Sequence, residues 1–159
     1  MHNTNHLPGR AIKASDLVVI HHLDRPEEYE DLSPAEQATL LEWIRLAIKP
    51  AKTPVVETSY GIKHDFEYAT RLYVSNGQFK GAMLATGYAP VNPGEQNWRF
   101  RIRPTGRRSQ SRDGSTYHIE HLTADEREDL AALARVADRA QGRRYEAERR
   151  LEQHPDCAS

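Results

Sequence analysis

The residues best suited to chemistry in this chain are six arginines that lie between Asn97 and Arg112. The segment reads NWRFRIRPTGRRSQSR and contains no acidic residue. Apolar residues alternate with arginines in its first half, which predicts a strand with Trp98, Phe100 and Ile102 on its core face. The arginines on the other face and just beyond it are Arg99, Arg101, Arg103, Arg107 and Arg108. Because neighbouring like charges repel, this arginine row favours an anionic partner, such as the phosphates of duplex DNA.

An acidic segment balances these arginines in the overall charge. Residues 24–42 contain seven Asp and Glu residues against the single basic residue Arg25, whereas the whole chain has a formal net charge of −1. Charge that is separated in this way indicates a surface facing a polyanion. The alternative is that the acidic segment, or the C-terminal helix, pairs with the arginine row within the fold.

A second set of candidates lies near the start of a predicted helix, at Asn76, Gln78 and Lys80. If that helix enters the major groove, Asn and Gln suit adenine, and Lys suits guanine or a phosphate. The alternative is that Asn76 and Gln78 only cap the helix and that Lys80 is solvated. Lys63 and His64 are predicted to face outwards from the preceding helix, where they could contact a phosphate.

The chain shows none of the motifs that mark common catalytic sites. It has no glycine-rich phosphate loop, no nucleophile elbow and no paired carboxylates. His118 and His121 precede a helix cap, and on a strand they would diverge, which disfavours a metal site. We therefore expect no catalysis, no cofactor and no metal. The remaining enzyme hypothesis is nucleic-acid processing that uses Tyr60, His64 or Glu67.

Composition limits the class of protein. With 159 residues, of which 38% are hydrophobic, the chain corresponds to one domain with thinly packed ends. The only cysteine, Cys157, excludes an internal disulfide and a multi-cysteine metal site. No apolar run exceeds four residues, against the ~20 that a membrane-spanning helix needs. We expect a soluble, cytoplasmic protein with no membrane contact.

Reciprocal capping boxes predict where three of the helices begin. The boxes are Ser33 with Glu36, Ser75 with Gln78, and Thr123 with Glu126. Apolar spacing and turn signals predict helices at about 34–49, 59–71, 76–86 and 123–152, and a β-hairpin at about 88–103. In the third helix, Gly77 and Gly81 would let the backbone come close to a partner surface. The fold class is thus α+β, mainly α.

These elements suggest a core with two flanking parts. The predicted parts are a tail at 1–32, a core at 33–104, a linker at 105–122, and a helix with its tail at 123–159. Within the tail, the segment between Asp16 and Asp24 could form a short strand. The C-terminal helix carries a stripe of Leu130, Leu133, Ala137 and Ala140. Such a stripe predicts that this helix packs back on the core or pairs with its copy in a homodimer.

The core follows the order of a winged helix-turn-helix: one helix, two helices joined by a short turn, then a hairpin. It also shares a pattern with a group of small bacteriophage and mobile-element proteins: Tyr-Gly-Leu-Lys-His, an acid, Tyr-Val-Ser-Asn-Gly, and a small-residue helix ending in Gly-Tyr or Gly-Phe. The matching residues are Tyr60, Gly61, Lys63, His64, Glu67, Tyr73, Val74, Ser75, Asn76, Gly77, Phe79, Ala82, Gly87 and Tyr88, with Ile62 in place of leucine. Residues 33–104 therefore resemble that group, which implies a mobile-element origin but carries no established activity.

We expect a non-catalytic phage or mobile-element protein that binds duplex DNA as a regulator or accessory factor. The third helix and the arginine row would form the contact surface. The alternative is a phage-encoded, protein-binding inhibitor of a host defence complex, such as an anti-CRISPR-type protein. In that case the arginine row would bind a host nucleic-acid-binding protein, or the acidic segment would mimic DNA.

Overall fold

Three short helices form the centre of the protein, and side-chain caps begin two of them. The computed structural model describes residues 9–17 and 24–153. The central helices are α1 (Pro34–Ala47), α2 (Ser59–Thr70) and α3 (Asn76–Ala85). In both predicted boxes the serine oxygen accepts from the backbone N–H three residues on, and the Glu or Gln oxygen accepts from the serine N–H. The predicted last residue of each of these helices lies within two residues of the observed one.

The core is built around the indole ring of Trp43 on α1. This ring lies edge-on to Phe66 of α2 at 5.6 Å and to Phe79 of α3 at 6.4 Å between ring centroids. All three side chains are almost fully buried. One residue therefore joins the three helices, and the edge-to-face arrangement is the one that aromatic quadrupoles prefer.

Only the end of the strand predicted at the arginine row is observed as a strand, and its partner is not the predicted one. Strand β1 (Ile48–Pro50) follows α1 directly and pairs antiparallel with β2 (Ile102–Pro104). The expected hairpin at 88–103 is reduced to one bridge between Pro90 and Phe100. The backbone carbonyls of residues 98, 100 and 101 instead accept N–H groups from the segment 51–59. Prolines at 50, 90 and 104 supply no N–H, which keeps each ladder short.

A second hairpin occupies the region expected to be a linker, and this corrects that expectation. Strands β3 (Gly106–Ser111) and β4 (Gly114–Ile119) pair antiparallel through a tight turn. Most of its described side chains face solvent, so the hairpin lacks the apolar alternation by which a strand is recognised. Tyr117 anchors its base, with its ring 6.3 Å from that of Trp43. The Asp113-Gly114 turn signal was the one feature that could have predicted it.

The long C-terminal helix packs against α1, which is one of the two predicted outcomes. Helix α4 (Ala124–Gln153) begins at the predicted Thr123 box and buries Leu130, Ala137 and Gln141. The Gln141 amide donates to Glu36 at 3.0 Å and to the Tyr73 carbonyl at 2.8 Å. A homodimer through this helix stays a prediction. No helix of the described residues is long and apolar enough to cross a membrane.

Glu36 links the start of helix α1 to helix α4. Besides capping α1, its carboxylate accepts two hydrogen bonds of 3.0 Å from the Arg144 guanidinium and one from Gln141. The Glu36 side chain is 2% exposed. Burial raises the pKa of Glu36, but the hydrogen bonds from Ser33 and Gln141 and the charge of Arg144 outweigh it and hold this pKa below its usual value.

A short acidic 3₁₀ helix covers one face of α3. This helix, Pro26–Asp31, runs across Gly77 and Gly81, which lie one turn apart on α3. A Cβ at Gly77 would lie 2.5 Å from the Arg25 carbonyl oxygen, and a Cβ at Gly81 would overlap the backbone of Pro26. The partner surface that these glycines were predicted to approach is therefore within the chain.

The N-terminal predictions are only partly covered by the structure. Residues 14–16 form a single 3₁₀ turn, and the Ile12 N–H donates to the Leu84 carbonyl of α3 at 2.9 Å. Most of the short strand suggested between Asp16 and Asp24 lies outside the described residues, as does Cys157.

Candidate nucleic-acid interface

The α3 side chain expected to read a base, Asn76, is buried. Its exposed fraction is 3%. Its Oδ1 accepts from the Ser59 hydroxyl at 2.7 Å. Its Nδ2 donates to Asn97 Oδ1 at 2.9 Å and to Asp24 Oδ2 at 3.3 Å. Asn76 thus connects the first turns of α2 and α3 to the loop before β2. The expectation that it contacts bases is corrected, because both ends of its amide are used inside the protein.

Lys80 is also in the interior, contrary to the expectation of a phosphate contact. Its side chain is fully buried, with Nζ donating to the Gln96 carbonyl at 3.0 Å and lying 4.6 Å from the centroid of the Trp98 ring. Burial lowers the pKa of Lys80, while nearby carboxylates, Asp24 foremost, act in the opposite direction. The Gln96 carbonyl and the Trp98 ring replace water around the ammonium.

Gln78 caps its own helix, as the alternative interpretation predicted. Its Oε1 accepts from the Ser75 N–H at 2.8 Å. The face of α3 that was expected to enter a groove is thus covered by the 3₁₀ helix and by the loop that ends at Trp98. In this conformation α3 presents no continuous face to DNA.

The residues predicted on the outer face of α2 form a cluster around Glu67. Lys63 Nζ donates to Glu67 Oε1 at 2.9 Å and is buried, so the expectation that it faces solvent is wrong. The Nδ1 atom of His64 lies 2.9 Å from the second oxygen, and the His64 ring lies edge-on to the half-exposed ring of Tyr60. Glu67 also accepts from the Val74 N–H at 3.3 Å. The cluster fixes the end of α2, and only His64 and Tyr60 offer surface to a partner.

The arginine row keeps the alternation that the sequence predicts. Trp98, Phe100 and Ile102 are buried, whereas the arginines between and after them are exposed. Among the described residues, no carboxylate lies within ion-pair distance of Arg99 or Arg101. These two guanidinium groups are therefore available to an external anion.

The next two arginines share one loosely held carboxylate. Arg103 lies 3.7 Å and Arg107 3.5 Å from the oxygens of Glu120, and the two arginine side chains are 62% and 83% exposed. Exposed pairs at these distances contribute little to stability. Because both arginines approach the same carboxylate, they lie close together, and the row continues from β2 into the β3–β4 hairpin.

Arg108 differs from the rest of the row because it is held firmly. Its Nε donates to Asp65 Oδ1 at 2.7 Å, and its guanidinium lies 5.5 Å from the Tyr68 ring. Burial raises the pKa of Asp65, and the charge of Arg108 opposes that rise. Arg108 therefore attaches the hairpin to α2 and is less available to a ligand.

The predicted internal pairing of the arginine row is not observed among the described residues. None of the arginine row pairs with the segment 24–42 or with α4 within the described part of the chain. The carboxylates that do approach it, Glu120 and Asp65, are fewer than the five arginines. Lys49, which is paired with Arg103 in the β1–β2 ladder, adds to the positive field. Burial lowers the pKa of Lys49, and the charges of Arg45 and Arg103 lower it further.

The histidines do not form a metal centre in the described region. His118 and His121 are both exposed. In residues 9–17 and 24–153, no three His, Cys, Asp or Glu side chains converge on a common point.

Comparison with models of protein families, with curated proteins and with solved structures finds no match to this chain.

Proposed function

We propose that this protein binds duplex DNA without catalysis, through the arginine row and the β3–β4 hairpin. The observation that carries the proposal is the pair of exposed arginines, Arg99 and Arg101, that have no carboxylate partner in the described residues. They continue into Arg103 and Arg107, whose shared pairing with Glu120 is loose enough to be exchanged for phosphates. Phosphate contacts of this kind supply most of the affinity of a non-specific duplex binder.

The hairpin provides the second part of the proposed surface. A two-stranded β-ribbon fits the major groove of B-DNA. Beyond Arg107 the turn carries Arg112, which is also exposed, and Gln110 on β3 could donate to a base edge or a phosphate. The hairpin therefore takes the role that the sequence had suggested for α3.

The order of elements supports the winged-helix hypothesis in a modified form. Helix α1, strand β1, helices α2 and α3, and strand β2 follow one another, and the Pro90–Phe100 bridge marks a minimal hairpin before β2. In this form α3 belongs to the core, and the strands carry the contact surface. We propose that such a protein acts as a regulator or accessory factor of a phage or mobile element.

Replacing Arg99 and Arg101 together by alanine is expected to flatten the salt dependence of DNA binding. Each phosphate contact contributes about 0.9 to the slope of log affinity against log salt, so the double variant should lose nearly two units. Fluorescence anisotropy with a labelled random duplex, over about 50 to 200 mM salt, measures this slope. The matched control is Arg139→Ala, which removes an exposed arginine of α4 away from the row.

Two outcomes would contradict this surface. If the folded protein binds no duplex at low salt, the protein-inhibitor alternative takes precedence. If Arg139→Ala and the double variant lower the slope equally, the charge acts without a defined site.

Asn76→Ala is expected to lower stability and to leave sequence preference unchanged, because the side chain is buried in its hydrogen-bond network.

A further inference from the structure

A half-open cleft lies beside the β3–β4 hairpin, on the side that faces α2 and α4. It has a volume of about 630 Å³ and is enclosed by the end of α2, strand β4 and the first half of α4. Its apolar lining comes from all three elements: Ala69, Tyr117, Ile119, Leu122, Leu130 and Ala134. This volume is within the range of about 300–1,000 Å³ that small-molecule sites occupy.

The charged residues at this cleft are mostly cationic. Arg71, Arg127 and Arg135 line it, against one carboxylate, Asp138. Arg135 lies 3.3 Å from Glu128 in an exposed pair. In the described residues no carboxylate lies within ion-pair distance of Arg71 or Arg127. An apolar lining with an excess of guanidinium groups favours a ligand that is apolar at one end and anionic at the other.

Arg71 occupies a backbone position that usually favours glycine. It ends α2 in the left-handed conformation, with φ of 63°, and its N–H donates to the Glu67 carbonyl at 2.8 Å. A residue with a Cβ is strained there, and glycine would relieve the strain. The chain instead carries an arginine whose guanidinium lies 5.2 Å from the ring of Tyr68, another residue of the cleft.

We propose that this cleft binds a small organic phosphate with a flat apolar body, of the size of a nucleoside monophosphate. Guanidinium groups bind the oxygens of a phosphate in a bidentate manner. Three such groups suit a ligand with a doubly charged phosphate better than a ligand with a singly charged carboxylate. The aliphatic lining, next to the Tyr68 ring that the guanidinium groups of Arg71 and Arg108 approach, offers an apolar surface for the body of the ligand. None of Arg99, Arg101 or Arg107 lines the cleft, so its cationic groups are different from those of the proposed DNA surface, although the two share strand β4.

The test is calorimetric titration of the full chain with AMP and UMP, alongside adenosine, inorganic phosphate and octanoate. We expect saturable binding of one nucleotide per chain, with adenosine and inorganic phosphate each at least tenfold weaker. Arg71→Gly is the key variant, since it removes the guanidinium and also relieves the positive φ. It should weaken nucleotide binding at least tenfold while the thermal stability stays the same or rises.

A second variant and a control complete the experiment. Arg127→Ala should also weaken nucleotide binding, and Arg139→Ala, outside the cleft, should leave it unchanged. The proposal is overturned if the folded protein binds neither nucleotide, or if Arg71→Gly and Arg127→Ala both keep the original affinity. Octanoate that binds more tightly than AMP and UMP would also overturn it, since the ligand would then be an apolar carboxylate.

Discussion

Gly81→Ala is expected to lower the free energy of unfolding by about 3 kcal/mol, at the upper end of the range for overpacking. The added methyl group would overlap the Pro26 carbonyl oxygen and the Cβ of Tyr29. Both obstacles belong to or adjoin the backbone, so no flexible side chain can move aside. Guanidinium denaturation followed by the fluorescence of the buried Trp43 and Trp98 measures the change.

Gly142→Ala is the matched control, because Gly142 also lies in a helix interior. A Cβ at this position meets no atom within 4 Å. Alanine there should stabilise the protein by about 1 kcal/mol through helix propensity alone. Two glycine-to-alanine substitutions are thus expected to change the free energy of unfolding in opposite directions. If Gly81→Ala is as harmless as Gly142→Ala, the 3₁₀ helix does not pack on α3 as described.

Glu36→Ala is expected to destabilise the protein by about 3 kcal/mol. Loss of one partner of a buried ion pair costs roughly 3–5 kcal/mol, and the partial exposure of Arg144 places the effect at the lower end. The variant also loses the Glu36 half of the α1 capping box and a partner of Gln141, so α4 should detach first. Hydrogen exchange of the variant would show this, because the backbone amides of α4 should exchange faster than those of α2. Glu128→Ala removes an exposed partner of Arg135 and should change stability by less than about 0.5 kcal/mol.

The same carboxylate predicts a dependence of stability on pH. The folded pKa of Glu36 is below its ordinary value of 4.5, so its stabilisation is complete above that value and is lost as the pH falls through the folded pKa. Glu36→Gln cannot titrate, so the stability difference between it and the original protein should be largest near neutral pH and shrink in acid. Denaturant unfolding at several pH values measures the difference. A gap that stays constant down to strongly acidic pH would contradict this account.

Local signals account for what the sequence predicted correctly. A capping box is completed within four residues, so the starts of α1, α3 and α4 could be read from Ser33, Ser75 and Thr123. The exposure of Arg99 and Arg101 follows from the strict alternation of apolar residues and arginines over residues 98–103. These features depend only on neighbours in the chain.

Features that depend on distant residues could not be predicted in the same way. The glycines of α3 indicate close approach, but the 3₁₀ helix that fills the space is some fifty residues earlier in the chain. Lys80 is a charged residue at a core position, and only the Gln96 carbonyl and the Trp98 ring, brought there by the fold, make its burial acceptable. The β3–β4 hairpin depends on backbone pairing and on two side-chain contacts, Tyr117 with Trp43 and Arg108 with Asp65, so its sequence shows little hydrophobic pattern.

The attachment of Glu36 to α4 has a consequence for synthesis on the ribosome. The carboxylate and its partner Gln141 are 105 residues apart, so at about 5–20 residues per second the partner is made roughly 5–20 s later. During that interval the apolar face of α1 can pack on α2 and α3, which are complete by Ala85, but Glu36 still lacks its partners on α4. The contacts of Glu36, and with them the docking of this part of α4 on α1, therefore have to wait until residues 141–144 have been translated.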